Sequence, residues 1–411
     1  MRTDTAIIGG GIVGLAAGYF LSRVYPDRSV TIIEKESAVA KHQTGHNSGV
    51  LHTGIYYKPN SYKARNCVRG KQLMEQFCLA NNIKFDICGK IIVATRDAEL
   101  KALQMIHERG QANGVRCSVV SPEELQELEP HVRGIRGLIV PDAGIIDFVG
   151  VANKLAEKIQ VAGGKVLTGT KLLGARRSNE LSVLSTTKGD IEATLVINCA
   201  GLHSDRVARL LGASPKVKII PFRGEYFKLK GASKRLCRNL IYPVPNPDFP
   251  FLGVHYTRMI SGEVECGPNA VLAFAREGYR KTSFNLSDLS ETLTYPGFLR
   301  FIAPHLGMGL AEMWRSLNKA AFVSSLQRLI PEVSGADLES APAGVRAQAI
   351  SDDGKFVDDF VIEKSPGVIN VLNAPSPAAT SSLSLAEYIV SQAAEQVSWQ
   401  QRDGAILSAM R

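Results

Sequence analysis

The apolar run Thr5-Ala6-Ile7-Ile8 breaks at a glycine-rich turn over Gly9 to Gly14, resumes at helical period from Leu15 to Val24, and returns as a short apolar run from Ser29 to Glu34. This pattern predicts strand, turn, helix and strand, a βαβ unit. A second apolar strand, Glu192 to Asn198, ends in Cys199-Ala200-Gly201 and precedes a helical stretch from Ser204 to Leu211. A third, Val368 to Leu372, leads through Asn373 to Thr380 into helical periodicity from Ser382 to Val397. The intervening stretches differ in texture. Residues 86 to 145 mix short strands with an amphipathic helix near Ala98 to Asn113, and residues 221 to 340 carry β-type runs, a Pro-rich turn from Tyr242 to Pro250 and helical periodicity from Tyr295 to Leu329. With no internal repeat, the economical α/β architecture is one discontinuous domain built from 1–85, 146–220 and 341–411, with 86–145 and 221–340 inserted as a second, mixed α+β domain.

The first turn, Gly9-Gly10-Gly11-Ile12-Val13-Gly14, satisfies GxGxxG between a strand and a helix, and Glu34 closes the next strand 20 residues beyond Gly14. In that setting Gly9 permits the tight turn, Gly11 lets the backbone approach a pyrophosphate, and Gly14 allows close packing of the helix. The helix N-terminus adds amide donors and the positive end of its dipole. Glu34 is spaced to accept from a ribose 2′-hydroxyl, which disfavours a 2′-phosphate. The motif points to a dinucleotide and does not separate NAD from FAD.

Composition narrows the setting. At 411 residues and 45% hydrophobic content the chain can bury a sizeable core without staples. Seven cysteines, an odd number with no CxxC pair, read as free thiols in a reduced, cytoplasmic protein with no metal constellation. The formal charge of +9 comes from Lys and Arg spread along the chain without a run of five, which argues against nucleic acid. An acidic substrate, an anionic membrane surface or a merely solvated basic surface fits it equally well. The apolar stretch from Ala6 to Phe20 contains five glycines and is too short to span a membrane or to read as a signal peptide.

After Glu34-Lys35-Glu36 the chain enters a polar, glycine-rich segment, Lys41-His-Gln-Thr-Gly-His-Asn-Ser-Gly-Val-Leu-His-Thr-Gly-Ile-Tyr-Tyr57, where a nicotinamide dehydrogenase would continue its βα winding. Such a segment suits an extended cofactor contacted from several distant stretches. These residues resemble the D-amino-acid oxidase superfamily of FAD enzymes and, within it, the L-2-hydroxyglutarate oxidase/dehydrogenase family. The likeness runs almost end to end. It is carried by His42 to Gly49 with His52 and Tyr56-Tyr57, Pro221 to Phe227, Phe249 to His255, Gly267 to Phe274 with Arg276 to Arg280, Ala343 to Gln348, and Asn373 to Thr380. The resemblance implies a Rossmann-like FAD-binding domain with an inserted substrate domain. It also implies cofactor contacts from Gly9, Gly11, Gly14, Glu34, Lys35, Thr44, Asn47, Ser48, Ala200, Gly201, Arg346, Pro377, Ala378, Ala379 and Thr380. A helix N-terminus near Thr380 would aim amides at the flavin pyrimidine edge, where negative charge gathers on reduction.

The reaction the resemblance implies is oxidation of L-2-hydroxyglutarate to 2-oxoglutarate, with electrons passed to a quinone-linked acceptor or to oxygen. The alternatives are another small hydroxy or amino acid as substrate, and a non-catalytic FAD-binding protein. Oxidising a 2-hydroxy acid needs a base for the hydroxyl proton, and histidine suits that task near neutral pH. His52 follows the cofactor-facing segment and His255 ends the run Phe251-Leu-Gly-Val, with His52 marginally favoured as base. Two carboxylates ask for cationic anchors, for which Arg346, Arg258 and Arg223 are the candidates, with Tyr226 and Gln348 as neutral partners. Arg223 could equally brace the domains. A quinone acceptor, the net charge and the partly basic stretch Phe298 to Arg328 together suggest peripheral contact with the inner face of a membrane.

Overall fold

The computed structural model describes residues 1–178, 180–245, 253–397 and 399. The first unit forms as the pattern predicts, with strands Arg2–Ile8 and Val30–Ile33 flanking the helix Ile12–Val24. The helix starts three residues earlier than its apolar period, inside the glycine run, because Gly14 must lie against the turn. A Cβ there would sit 2.2 Å from the Gly9 carbonyl oxygen. Gly9 itself has φ +112°, open to glycine at little cost, and a Cβ would meet the Cys199 carbonyl oxygen at 2.4 Å.

These strands join an eight-stranded sheet in the order Leu172–Ser178, Leu181–Thr186, Gly189–Asn198, Arg2–Ile8, Val30–Ile33 and Lys165–Leu167, with Val368–Asn373 alongside Gly189–Asn198 and Val361–Ser365 beyond it. The pairings among Arg2–Ile8, Val30–Ile33, Lys165–Leu167, Gly189–Asn198 and Val368–Asn373 are parallel. Helices Ile12–Val24, Tyr62–Ala80, Phe148–Val161 and Ala378–Gln396 supply the buried side chains of the core on this sheet. The C-terminal helix begins at Ala378, four residues before its apolar period and two before the N-terminus expected near Thr380.

A nine-stranded sheet forms the second layer system, ordered Val271–Leu272, Val217–Leu229, Val264–Gly267, His255–Arg258, Leu240–Pro243, Lys90–Ala94, Arg136–Val140 and Ser118–Val120, with Leu338–Ser351 paired along Val217–Leu229. The expected domain limits at 220/221 and 340/341 therefore cut through the two longest strands of this sheet. The helical stretch from Tyr295 to Leu329 resolves into Pro296–Ile302, Leu306–Leu317 and Lys319–Gln327. The strand read over Phe251 to Val254 lies partly outside the described residues, and regular structure resumes at His255.

Candidate active site

A cavity of about 1090 Å³ is lined by residues of both sheets, just above the roughly 300–1,000 Å³ typical of small-molecule and cofactor sites. Its lining includes Gly9, Gly11, Glu34 and Lys35, together with Thr44, Asn47, Ser48, Ala200 and Gly201, and Pro377, Ala378, Ala379 and Thr380. The expected chemical residues His52, Tyr226, His255, Arg346 and Gln348 share the same cavity. Gly14 is not among the lining residues, since it sits beneath the turn against Gly9.

The donor set suits an extended dinucleotide. A Cβ on Gly11 would meet only the Thr44 hydroxyl, at 3.5 Å, so the backbone there is bare to the cleft. The helix behind it has Gly11 as N-cap with no side-chain cap, and the C-terminal helix likewise has Pro377 as N-cap with none. Two helix N-termini thus bring partial positive charge and amide donors to one cavity. Glu34 accepts from the Gly10 amide at 2.7 Å and the Glu36 amide at 2.8 Å, and a carboxylate offers about four lone-pair sites, so capacity remains for a ribose hydroxyl. Asn47 braces its own loop, donating to the carbonyls of Gln43 and Thr44 and accepting from the Gly49 amide.

Arg346 and Gln348 lie two residues apart on one strand and so point to the same side. The Arg346 guanidinium is close to Gly224, where a Cβ would come within 3.2 Å of its Nη1. Its burial lowers the guanidinium's proton affinity. Gln348 spends its amide on the Ala349 and Val357 carbonyls, at 3.1 and 3.0 Å, leaving its oxygen as an acceptor. It is therefore equipped to receive a hydroxyl, rather than to donate to a carboxylate. Burial pushes the Tyr226 phenol up to about 12, so it stays protonated and donates.

Two expected anchors lie elsewhere. Arg258 is three residues from His255 on the same strand, which turns it to the opposite side of the sheet, where it pairs with Asp86. Arg223 is buried in an ion pair with Glu225 at 2.9 Å and donates to the Arg280 carbonyl, contacts that lie within the inserted stretch 221–340, and it does not line the cavity.

His255 is buried and hydrogen-bonded through Nδ1 to the Gly253 carbonyl at 2.8 Å. That contact places the proton on Nδ1 and leaves Nε2 with its lone pair. Its ring stacks on Tyr242, centroids 4.0 Å apart and planes at 20°. Burial drives the His255 imidazole down to about 3, and burial with the nearby Lys90 ammonium does the same to His52. Both rings are neutral at physiological pH.

Lys35, expected as a cofactor contact, sits in a polar cluster that the sequence reading did not anticipate. Lys35 Nζ reaches Glu277 Oε1 at 2.7 Å and His42 Nε2 at 3.0 Å and also pairs with Glu36, while His203 Nε2 meets the same Glu277 oxygen at 2.7 Å. Hydrogen bonds from His203 and then Lys35 hold the Glu277 carboxyl at about 2, against the upward pull of burial. Glu36, His42 and Glu277 bring their ligand atoms within 4.8 Å of one another, but the Lys35 ammonium bonded among them makes this an ion-pair cluster. The available signals were the adjacency of His203 to Ala200-Gly201 and of Lys35 to Glu34.

Residues 4–392 match the family described as DAO, FAD dependent oxidoreductase. The chain is 50% identical over 387 residues to the L-2-hydroxyglutarate dehydrogenase of Indibacter alkaliphilus, covering 94% of this chain and 97% of that protein. It is 45% identical over 409 residues to the protein of the same name from Escherichia coli, covering 99% and 97%. Among solved structures, the dithionite-reduced, FAD-bound L-alpha-glycerophosphate oxidase of Mycoplasma pneumoniae matches with a TM-score of 0.80 at 22% identity, covering 98% of this chain and 96% of that one. The last likeness concerns the fold.

Proposed function

Because the chain belongs to the FAD-dependent oxidoreductase family and, within it, to the L-2-hydroxyglutarate dehydrogenases, we propose that it oxidises L-2-hydroxyglutarate to 2-oxoglutarate in the cavity described above. Bound FAD supplies the acceptor for the hydride that leaves C2. The observation that carries the reading is the convergence of Arg346, Tyr226, Gln348 and two neutral histidines on the cavity that also holds the Gly9–Gly14 turn and the Pro377–Thr380 turn.

The chain's residues divide the remaining work. Arg346 and the Tyr226 hydroxyl hold a carboxylate, each through a charge-assisted hydrogen bond because the acceptor is ionised. The Gln348 oxygen receives the substrate hydroxyl or a water. His255 takes the hydroxyl proton at Nε2, since its Nδ1 proton is already committed to Gly253. That assignment reverses the marginal preference for His52, whose ring makes no hydrogen bond among the described residues. His52 is left to orient the substrate. Anaerobic bleaching of the flavin tests the function. L-2-hydroxyglutarate should bleach it and the D-enantiomer and amino acids should not, whereas bleaching by an amino acid alone would overturn the substrate assignment.

The electrons then leave to a quinone held in a membrane that the protein touches peripherally. Supporting this reading, the helix Leu306–Leu317 exposes Leu306, Leu310, Trp314 and Leu317, spaced to form one stripe, and Leu286, Leu293 and Leu299 are exposed on neighbouring helices. No helix among the described residues is long and apolar enough to cross a membrane, so contact would rest on this face and on the +9 charge.

A further inference from the structure

Lys90 opens the central strand Lys90–Ala94 and is 1% exposed. Its ammonium has no hydrogen-bond partner and no carboxylate among the described residues. It sits instead over two aromatic rings, 4.7 Å from the centroid of Tyr56 and 4.9 Å from that of Tyr242. Strand order explains the second contact. Leu240–Pro243 lies between Lys90–Ala94 and His255–Arg258, with Leu240 opposite both Lys90 and Thr257, so the Tyr242 ring stands between the Lys90 ammonium and the His255 imidazole stacked on it. Tyr242, His255 and His52 line the cavity, while Lys90 lies behind them.

An unpaired buried cation is strongly disfavoured unless something compensates it. Other cations lining the cavity differ: Lys63 pairs with Asp358, Lys35 with Glu277, Arg206 with Asp288 and Arg276 with Asp205. Lys41 and Lys171 are exposed, and Arg346 donates to the Asn269 carbonyl and is the proposed anchor of one carboxylate. Two flanking rings offer the ammonium their electron-rich faces, which is worth less than a carboxylate. The rings and a lowered proton affinity offset the cost only in part, and a dianion bound in the cavity would offset more of it.

We propose that Lys90 is a specificity-determining residue, whose ammonium, acting from behind Tyr242 and Tyr56, provides the positive field that favours a dicarboxylate over a monocarboxylate. The inference rests on the reading of the substrate as a 2-hydroxy dicarboxylate. Lys90 is a positioning residue in this scheme, since it reaches the substrate through the aromatic rings and makes no contact of its own. Burial brings its ammonium down to about 8, so it is charged at neutral pH and loses its proton in the mildly alkaline range. The groups facing it are Cys67 from the helix Tyr62–Ala80, the Tyr56 and Tyr242 rings, and the neutral His52 and His255.

The test measures equilibrium binding to the holoenzyme of 2-oxoglutarate and of 2-oxopentanoate, its monocarboxylate counterpart, from the perturbation of flavin absorbance. Wild type should prefer the dicarboxylate, Lys90→Met should lose about tenfold or more of that preference, and Lys90→Arg should keep most of it. Wild-type preference should decay above about pH 8, and that of Lys90→Arg should not, which keeps the idea testable should Lys90→Met fail to fold. Lys90→Met should also melt no lower than wild type, because removing an unpaired buried charge relieves a cost, whereas a purely structural lysine would be missed. Undiminished preference in Lys90→Met, or a pH-independent preference in wild type, overturns the inference. No preference for the dicarboxylate in wild type would instead overturn the substrate reading beneath it.

Discussion

The backbone amide of His52 donates to the hydroxyl of Thr380, 3.1 Å away and 328 residues along the chain. The same hydroxyl donates to the Val50 carbonyl at 3.3 Å. One side chain at the start of the C-terminal helix thus fixes the backbone of the segment that carries His52 into the cavity. Thr380→Val keeps the shape, removes both bonds and leaves a buried carbonyl and an amide unpaired, at a cost of about 1–3 kcal/mol. Denaturant unfolding should show that loss, and stopped-flow flavin reduction at saturating substrate should slow. Unchanged values for both would mean the link is idle.

Glu34 holds the Gly10 and Glu36 amides as well as facing the cavity. Glu34→Ala should weaken FAD retention by about 1.5–3 kcal/mol, the worth of a hydrogen bond to a charged group. The flavin-to-protein ratio after dialysis measures it. Full loading of the variant would confine Glu34 to bracing the turn.

The nucleotide-binding half was legible because its signals are local: a strand, a glycine turn, a helix and an acid follow one another within 34 residues. The second sheet was not, because its pairings are remote. Lys90 pairs with Leu240 and Val217 with Ser351, partners that no hydrophobic period announces. For the same reason domain limits placed at composition shifts fell inside Val217–Leu229 and Leu338–Ser351. Arg258 reads as an anchor on its charge alone, although its odd spacing from His255 along a strand sends the two side chains to opposite faces. Lys90 carries no signal of its own in the sequence, because a single lysine opening the run Lys-Ile-Ile-Val-Ala has the pattern of a solvated strand start.

Both cavity histidines are held neutral to about pH 3, against about 6.5 unperturbed. Between those values the unfolded chain binds protons that the folded chain does not, so stability should rise with pH across roughly 3 to 6.5 and level off above. Each histidine contributes a slope of up to about 1.4 kcal/mol per pH unit in that window. Unfolding of wild type and of His255→Asn at pH 4.5, 5.5 and 7 measures this, and the variant should show the shallower dependence. The same neutrality means that kcat/KM, which reports the free enzyme, should show no acid limb near 6.5. A limb there would mean that a cavity histidine titrates normally.

The exposed stripe Leu306, Leu310, Trp314 and Leu317 bears on where the electrons go. Large apolar side chains standing together in water, 57 to 72% exposed, mark a contact surface more often than chance does. Each side chain moved into an acyl boundary gains about 1.5–3 kcal/mol, so Leu310→Glu with Trp314→Glu should reduce partitioning onto anionic vesicles by tenfold or more at low salt. Both positions face solvent, and the double variant should unfold like wild type and reduce its flavin at the wild-type rate. Turnover with a long-chain quinone in vesicles should fall, while turnover with a short, water-soluble quinone analogue should not. Two results count against a membrane-held acceptor: wild type staying off the vesicles at low salt, or equal losses with both quinones.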